Sequence, residues 1–432
     1  MGLLSTLGAA SARAYGFTRS AIAAAVDAYF NRVTLLLPGN GTNGAQNNTF
    51  LDSSSNNFTI TRNGNTTQGS FTPFSQAPGY WGNYFDGSSY LSNTSPTSVV
   101  APGTSNFTAE FWVYPTTDQQ SQVYGTVFHI GSSTAGAFCI ALLYSAANAM
   151  KIRFSTSTTD YESTNTLSPN QWYHIAVVRS GTGTNQTTVY VNGLVSYSFT
   201  LSDNLSNSSG LYIGTTGFNP SVRRLNGYVS NLRWTVGTAL YTSAFTPSPI
   251  PLTTTSQNAT ASQVEVLSCQ DNRFIDNSSN GFALTVNGTP SVQAFSPFAP
   301  TAAYSAATNG GSGYFDGAGD NLIAPNNAAF NQTADFSMDC WVYFTGNPAN
   351  GTYQYFGSAD GNPYFQIGVN TSGYFVFAKG YFPDLISSNG QAGVAKQGQW
   401  YHVAITRQGT TCRLFVNGVL QGTATDSSST TI

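Results

Sequence analysis

Two histidines occupy the same place in two nearly identical phrases, where a paired histidine could act as a general base. The phrases are QWYHIAVVRSG at residues 171–181 and QWYHVAITRQG at residues 399–409, centred on His174 and His402. The third histidine, His129, has no equivalent. A catalytic histidine needs a nucleophile or an orienting carboxylate, and neither recurs at matching positions in both phrases. We expect scaffold histidines that bond a neighbouring strand or loop, with a ligand contact as the alternative.

Carboxylate pairs are the second kind of chemistry that the sequence could supply. Glycoside hydrolysis ordinarily needs two carboxylates across the bond, about 5 Å apart in a retaining enzyme. Asp160 and Glu162 stand at i and i+2 and would share one face of a strand. Their counterparts 228 positions later are Ser388 and a glycine. Glu110 corresponds to Asp339, but neither has a carboxylate neighbour in sequence. We expect no catalytic residues.

Four aspartates recur between the two halves of the chain and could contribute to a calcium site. Asp52 and Asp276 share one repeated block, and Asp86 and Asp316 share the phrase YFDG. Calcium binds six to eight oxygen ligands, whereas an Asp-Gly pair more often marks a turn. We expect no cofactor and assign no metal ligand, and a calcium site remains the alternative.

Aromatic side chains could bind sugars by stacking, and the chain holds 24 tyrosines and 29 phenylalanines. The densest cluster is GYFVFAKGYFPD at residues 373–384. We expect these rings to fill a core, with a surface cluster as the alternative, so the ligand-binding residues are unknown.

The four cysteines form no C-x-x-C pair, and we expect free thiols rather than a disulfide framework. They are Cys139, Cys269, Cys340 and Cys412.

The composition is that of a folded protein with a polar but nearly uncharged surface. Of 432 residues, 40% are hydrophobic and 14% aromatic, while only 8% are charged and the net charge is −3. Ordinary soluble domains carry about 25% charged residues. Without a basic stripe, nucleic-acid binding is not expected. Without a run of 18 apolar residues, no membrane insertion is expected.

An internal repeat organises most of the chain. The block FLDSSSNNFTITRNGNTTQGSFTPF at residues 50–74 matches FIDNSSNGFALTVNGTPSVQAFSPF at residues 274–298 at 12 of 25 positions. Further phrases match in the same order, so the halves share a topology. We expect one domain over 33–252 and another over 264–432, joined by a Pro/Thr/Ser-rich linker at 253–263.

The local patterns within each half are those of β-structure. Aromatic and β-branched runs such as FTAEFWVY and WYHIAVVR suit strands. TVYVNGLVSYSF reads as two strands around Asn192-Gly193, because a type I′ turn favours positive φ at both central residues. The expected fold class is therefore all-β, with two tandem antiparallel sandwiches of the jelly-roll type.

The N-terminal segment 1–32 differs in composition from the rest. An export signal would carry its arginines before the apolar run, but Arg13 and Arg19 follow it. Ser20 could instead cap a short Ala-rich helix that ends at Phe30. We expect a helical or extended arm that anchors the chain on a partner.

The second half stops short of the first. Residue 432 aligns near residue 207, so the counterpart of 208–252 is missing from the alignment. Two explanations stay open. Either these residues belong to a longer protein, or strands of a partner complete the second sandwich.

Four phrases together carry a family resemblance. FTAEFWVYPT, WYHIAVVRSG, TVYVNG and LNGYVSNLRW resemble the laminin-G-like jelly roll of the concanavalin A-like lectin/glucanase superfamily. The flanking phrases LLLPGNGTNG and VGTALYTSAFTPSPIPLT are similar to the variant found in structural and adhesion proteins of marine tailed bacteriophages. The resemblance implies a two-sheet sandwich that contacts carbohydrate or protein, sometimes with calcium.

The function that this resemblance implies is that of a virion structural protein, a tail-fibre or decoration subunit without enzymatic activity. It would be assembled in the host cytoplasm and exposed on the particle as a homo-oligomer. Residues 1–32 would bind other virion proteins, and the sandwiches would contact a host-surface glycan or neighbouring subunits. A secreted bacterial carbohydrate-binding adhesin and a glycoside hydrolase are the alternatives.

Overall fold

The structure is a computed structural model that describes residues 29–40, 50–119, 123–298, 305, 309–330, 334–359, 365–379, 384–388 and 393–426. The anchoring arm expected over 1–32 therefore lies almost wholly outside the described residues. Its described end is a short 3-10 helix, Phe30–Arg32. Among the described residues, no helix is long and apolar enough to cross a membrane.

The described residues form 27 strands, in agreement with the expected all-β class. In chain order they are β1 Thr61–Asn63, β2 Thr67–Gly69, β3 Gly82–Asp86, β4 Tyr90–Asn93, β5 Phe107–Pro115, β6 Tyr124–Ile130, β7 Phe138–Ala146, β8 Ala149–Thr156, β9 Asp160–Glu162, β10 Tyr173–Arg179, β11 Thr187–Val191, β12 Leu194–Phe199, β13 Leu211–Ile213, β14 Asn226–Val236, β15 Val264–Ser268, β16 Thr285–Asn287, β17 Ser291–Gln293, β18 Ser312–Tyr314, β19 Asn321–Ile323, β20 Phe336–Tyr343, β21 Gln354–Ala359, β22 Phe365–Val369, β23 Phe375–Lys379, β24 Asp384–Ser387, β25 Trp400–Gln408, β26 Thr411–Val416 and β27 Val419–Thr425. Further short 3-10 helices are Ser98–Val100, Ser256–Asn258, Ala261–Gln263 and Ala328–Phe330.

The chain divides into two compact units that are not the two continuous ranges expected from the repeat. The inner unit holds residues 78–299 with 397–399, and the outer unit holds the remaining residues on both sides. The difference comes from the two repeated blocks. Strands β16 and β17 of block 274–298 pair with β4 and β3 in the inner unit. Strands β1 and β2 of block 50–74 pair with β19 and β18 in the outer unit.

The inner unit is a sandwich of an eight-stranded and a seven-stranded sheet. The first runs β12-β11-β10-β5-β14-β3-β17, with β15 also paired to β14, and the second runs β16-β4-β13-β6-β7-β8-β9. Strand β8 illustrates why one face is buried. Met150, Ile152 and Phe154 are fully buried, and the intervening Lys151 and Arg153 lie on the other face.

Large aromatic rings fill the core of the inner unit. The Trp234 ring lies 5.1 Å from the rings of both Phe107 and Phe138, measured between centroids. Phe138 also stacks on Phe154 at 5.6 Å. All four side chains are at most 1% exposed, so the sandwich has a continuous apolar interior.

The stretch expected to be a linker, 253–263, packs on the inner unit. Leu252 and Ala259 join Val264 and Leu267 in a buried apolar cluster. Arg233 donates hydrogen bonds of 2.8 Å from Nη1 to backbone carbonyls of this stretch. The expected linker thus contacts the inner unit through Ala259 and through the carbonyl groups of Thr253 and Ser256.

In the outer unit both sheets are divided. In the inner unit β14 joins β3 to β5, and β13 joins β4 to β6. The described part of the outer unit contains no strand at the positions that correspond to β14 and β13. Its strands form two four-stranded sheets, β20-β25-β26-β27 and β21-β22-β23-β24, and two strand pairs, β1-β19 and β18-β2. Burial changes accordingly, since Phe85 is 0% exposed and its counterpart Phe315 is 47% exposed.

The expected two-residue hairpin is confirmed in both units. Asn192 and Gly193 have φ of 51° and 78° between β11 and β12. Asn417 and Gly418 have φ of 51° and 79° between β26 and β27. Positive φ at both central residues is the type I′ conformation.

Candidate functional site

The first paired histidine belongs to a buried ion-pair cluster. His174 lies on β10 beside β5, and its Nε2 is 3.3 Å from Oε2 of Glu110. Arg233, opposite Glu110 on β14, donates from Nε at 2.9 Å and from Nη2 at 2.6 Å to Oε1. Tyr241 donates its hydroxyl proton to Oε2 at 2.9 Å. We call these four residues the inner acid cluster.

The inner acid cluster holds its charges away from water. Glu110 and Arg233 are fully buried, and His174 is 1% exposed. Burial by itself would raise the pKa of Glu110, but the His174 hydrogen bond and the Arg233 charge outweigh it and lower the pKa. Burial and the Glu110 charge raise the pKa of Tyr241. Glu110 is thus a buried carboxylate with four donors around it.

The second histidine repeats half of this arrangement. His402 on β25 places Nε2 3.1 Å from Oδ2 of Asp339 on β20. The Asp339 side chain is 61% exposed, in contrast to Glu110. Both histidines also accept through their backbone carbonyls from the turn residues Asn192 and Asn417, each at 2.8 Å. In both copies of the phrase, therefore, the histidine accepts a hydrogen bond from a hairpin-turn residue through its backbone carbonyl, and its ring contacts an acid on the adjacent strand.

The expectation that no carboxylate recurs beside both histidines was wrong. Glu110 lies opposite Ala176, and Asp339 lies opposite Ala404. Each alanine stands two residues after the histidine of its phrase, so the two acids occupy matching positions on the neighbouring strands. Sequence reasoning also missed Arg233 and Tyr241. In a chain with 8% charged residues, an arginine within the phrase SNLRW, next to leucine and tryptophan, was the available signal for a buried ion pair.

The recurring aspartates Asp52 and Asp276 each organise a loop. The Asp276 carboxylate accepts from the amides of Leu267 and Ser278 at 2.9 and 3.0 Å, from the Ser278 hydroxyl at 2.8 Å, and from the Phe282 amide at 3.0 Å. Asp52 accepts four equivalent bonds. Burial by itself would raise the pKa of Asp52, but hydrogen bonds from three backbone amides stabilise the charged carboxylate and lower the pKa. These oxygens already have their donors.

The YFDG aspartates sit in turns. Asp86 Oδ1 accepts from the amide and hydroxyl of Ser88, both at 2.8 Å. Asp316 Oδ1 accepts from the Ala318 amide at 2.7 Å. Across the described part of the chain, no three acidic, histidine or cysteine side chains come together in a group that could hold a metal ion.

Asp160 and Glu162 share one face of the edge strand β9, as expected, but they pair with bases on β8. Asp160 contacts Arg153, and Glu162 lies 3.6 Å from Lys151 and 3.9 Å from Arg153. Both carboxylates are therefore engaged by cations on the neighbouring strand.

The cysteines and the aromatic cluster also have defined places. Cys139, Cys269 and Cys412 are buried as free thiols, and Cys340 is partly buried. Phe375 and Phe377, from the cluster at 373–384, are buried in the outer core, as expected. The stretch 380–383 lies outside the described residues.

The outer face of the seven-stranded sheet carries a polar and aromatic surface that the sequence did not reveal. The Tyr124 ring lies beneath two guanidinium groups, with Cζ of Arg153 at 4.7 Å and Cζ of Arg223 at 4.9 Å from its centroid. Arg153 also donates to the Tyr124 hydroxyl at 2.7 Å. Arg223 stands 5.1 Å from the Phe218 ring, which is 38% exposed. We call Tyr124, Arg153, Phe218 and Arg223 the aromatic–guanidinium patch.

The loop 214–224 covers the centre of this face and holds the patch in place. Gly217 donates its amide proton to Nδ1 of His129 at 2.6 Å, and the Phe218 ring lies edge-on to His129 at 5.6 Å. Burial and the Arg223 charge lower the pKa of His129 to about 3, so the ring is neutral at neutral pH. Arg223 has φ of 62°, a conformation that non-glycine residues rarely adopt. Such strain often marks a functional site.

Comparison with known proteins agrees with the fold. A family model described as the concanavalin A-like lectin/glucanases superfamily matches residues 85–248 and 316–432, well over half of the chain. The chain therefore belongs to this superfamily, and its sandwiches are laminin-G-like, lectin-like jelly rolls. No curated protein matches the sequence significantly.

Several solved structures are similar to this chain at low sequence identity. A heptameric SAP-like pentraxin from Limulus polyphemus is 14% identical, with 49% of this chain and 94% of that chain covered and a TM-score of 0.33. Domains LG4-5 of the mouse laminin alpha1 chain are 11% identical, with 82% and 81% covered and a TM-score of 0.27. The enzymatically active domain of tailspike protein 2 from bacteriophage CBA120 is 14% identical, with 35% and 24% covered and a TM-score of 0.27.

Proposed function

We propose that this chain is a non-catalytic virion structural protein of a tailed phage, a tail-fibre or decoration subunit whose sandwiches contact a host-surface glycan or neighbouring subunits. The observation that carries the contact function is the aromatic–guanidinium patch. Partly exposed rings offer an apolar stacking surface, and the guanidinium groups packed against them fix the position of the Tyr124 and Phe218 rings. Such a surface suits a polar, ring-containing ligand.

Three features support a binding role over hydrolysis. Glu110 is sealed in the inner acid cluster, and Asp160 and Glu162 are paired with bases. The loop aspartates are occupied by backbone donors. We therefore propose that the protein acts without a cofactor, through shape, stacking and neutral hydrogen bonds. A chain with only 8% charged residues suits contacts that persist when salt varies.

The virion assignment rests on the phrases LLLPGNGTNG and VGTALYTSAFTPSPIPLT and on their resemblance to marine phage proteins. On this proposal residues 1–32 anchor the chain to other virion proteins as a homo-oligomer, assembled in the host cytoplasm and exposed on the particle. Quantitative mass spectrometry of purified particles tests it and should find the protein at a fixed copy number. Its recovery from bacterial culture medium, cleaved near residue 28 and absent from particles, would instead favour a secreted adhesin.

The contact function is tested with purified protein on an array of bacterial surface glycans. Phe218→Ala should abolish or weaken binding at least tenfold. Tyr197→Ala is a matched control, because Tyr197 is 37% exposed and lies on β12 of the other sheet. Equal losses in both variants, or hydrolysis of any bound glycan, would overturn the proposal.

A further inference from the structure

We infer that an acid-sensitive hydrogen bond holds the loop 214–224 against the seven-stranded sheet, so that a proton taken up by His129 releases the loop and disassembles the aromatic–guanidinium patch. The bond runs from the Gly217 amide to Nδ1 of His129, at 2.6 Å. An imidazole nitrogen accepts a hydrogen bond only while it carries no proton. Only the neutral ring can therefore hold the loop in this way.

Residues 215–222, which we call the loop tip, have few polar connections to the sheet. Several hydrogen bonds join these residues to one another and to Arg224 at the end of the loop. Among the described residues, the one hydrogen bond from the loop tip to a group outside the loop is that of Gly217 with His129. A single titratable acceptor therefore fixes eight consecutive residues.

The two ends of the loop are fixed to the sheet independently of its tip. Gly214 donates its amide proton to the Val127 carbonyl at 3.1 Å, and Thr126 donates to the Arg223 carbonyl at 2.9 Å. Arg223 keeps a φ of 62°, which is costly for a residue with a side chain. The loop tip can thus separate from the sheet while both of its ends stay in place.

A protonated His129 ring does not fit beneath the closed loop. The ring is 1% exposed and lies between Tyr212, stacked at 5.9 Å, and the edge of Phe218 at 5.6 Å. A second ring proton would leave two donors facing each other where Gly217 now bonds Nδ1, whichever way the ring is turned. Burial and the Arg223 charge also oppose the charged ring. Separation of the loop tip lets water reach the ring and removes this conflict.

His129 is the group in this place whose charge changes in mild acid. Cys139 and Tyr212 face it from the two neighbouring strands, β7 and β13. Burial raises the pKa of both of these side chains, so they stay neutral as the pH falls. The charged groups nearby are Arg223 of the loop, Arg153 of β8 and Asp160 of β9. Carboxyl groups titrate mainly below pH 5, so a comparison of pH 7 with pH 5 isolates the histidine.

Amide hydrogen exchange of the purified protein, without any ligand, tests this inference. Opening of the loop tip raises the pKa of His129 from about 3 towards its ordinary value of 6.5, so opening takes up a proton and becomes easier in acid. The protection factor of the Gly217 amide, corrected for the intrinsic exchange rate, should fall at least about tenfold from pH 7 to pH 5. Unchanged protection would overturn the inference.

Two controls separate the histidine from other effects of acid. His129→Asn supplies a carboxamide oxygen that accepts from Gly217 but does not titrate, and its Gly217 protection should be equal at both pH values. In the wild type, the Phe245 amide, which donates to the Gly193 carbonyl at 2.9 Å, should change less than about twofold. A fall that persists in His129→Asn, or equal falls at Gly217 and Phe245, would contradict the inference. The wild-type comparison decides even if the variant does not fold.

The consequence for ligand binding rests on the proposed function. A glycan that binds at the patch should bind the wild type at least about tenfold more weakly at pH 5 than at pH 7, and His129→Asn equally at both. Absence of glycan binding at pH 7 would contradict the proposed function, while the exchange result would still decide the inference about the loop. Loss of Gly217 protection with unchanged glycan affinity would show that the patch does not depend on the loop, and would overturn that part of the inference.

Discussion

Glu110 and Arg233 face each other on neighbouring strands of the inner unit, with 2.6 Å between Oε1 and Nη2 and neither side chain exposed. The corresponding acid of the outer unit, Asp339, is 61% exposed and pairs with His402. The acid of the repeated acid–histidine pair is therefore buried in the inner unit and exposed to water in the outer unit. A buried ion pair is costly to break because the remaining charge stays in a medium of low polarity, whereas an exposed pair is screened by water.

Removing the charge of Glu110 should destabilise the inner unit strongly. Glu110→Gln leaves the Arg233 guanidinium buried without a counter-ion, and we expect a loss of about 3–5 kcal/mol in the free energy of unfolding. Asp339→Asn should cost less than about 1 kcal/mol. Amide hydrogen exchange of β5 and β20 measures each unit separately. Equal effects at the two positions would contradict the difference in burial.

His129 should make the inner unit sensitive to acid. Its folded-state pKa of about 3 lies below the ordinary value of 6.5, so the unfolded chain takes up a proton first as the pH falls. The stabilisation is complete above pH 6.5 and is lost progressively down to about pH 3, at up to about 1.4 kcal/mol per pH unit. His129→Gln should flatten this part of the stability profile. Urea unfolding at pH 7, 6 and 5 measures the difference, and parallel profiles would exclude His129 as its source.

The loop aspartates should matter for stability and not for calcium. Asp276→Asn replaces an acceptor with an NH₂ group that faces backbone amides, and we expect a loss of about 1–3 kcal/mol. Asp52→Asn should act similarly in the outer unit. Thermal unfolding with calcium and with a chelator checks the point. A midpoint that rises with calcium in the wild type but not in the variants would restore the calcium alternative.

The ion pairs of β9 should contribute little. Asp160→Asn together with Glu162→Gln removes partly exposed pairs with Arg153 and Lys151, and the expected cost is below about 1 kcal/mol. The loss should shrink further in 1 M salt because the pairs are screened. Chemical denaturation in urea at low and high salt measures this. A cost of several kcal/mol would mean that the edge strand depends on these charges.

The two hairpin glycines should respond differently to a methyl group. Gly193 and Gly418 have nearly the same φ, 78° and 79°, and alanine at such an angle costs about 1–2 kcal/mol. A Cβ at Gly193 would also collide with the carbonyl oxygen of Phe245, while a Cβ at Gly418 meets nothing within 4 Å. Gly193→Ala should therefore cost at least about 1 kcal/mol more than Gly418→Ala. Amide hydrogen exchange in the strands next to each hairpin measures the loss of stability in each unit. Equal losses in the two variants would contradict the prediction.

Local patterns in the sequence predicted the strands and turns of this protein well. Asn192-Gly193 predicted a type I′ hairpin because only a few residue types accept positive φ at both central positions. Alternation in WYHIAVVR predicted a strand, and the paired phrases predicted two sandwiches. The same reasoning did not find Arg233 beside Glu110, because 123 residues separate them and spacing along the chain carries no information about which strands become neighbours.

The aromatic–guanidinium patch was also beyond local reasoning. Tyr124, Arg153 and Arg223 come from β6, β8 and the loop before β14, and they meet only when the seven-stranded sheet forms. The same holds for the repeated blocks. Their shared residues predicted a shared role, but the identity of the sandwich that each block completes depends on long-range strand pairing.

By itself, the sequence determined the all-β class, the repeated unit and the hairpin turns, because these depend on φ preferences and on side-chain alternation over a few residues. The superfamily followed from the resemblance of its phrases to the laminin-G-like jelly roll, which the family model matches. Only the tertiary structure decided that His174 and His402 each contact an acid on the adjacent strand, that the loop aspartates accept backbone hydrogen bonds, and that block 50–74 pairs within the outer unit. Those outcomes depend on burial and on partners brought together from distant parts of the chain, and both arise only when the sheets assemble.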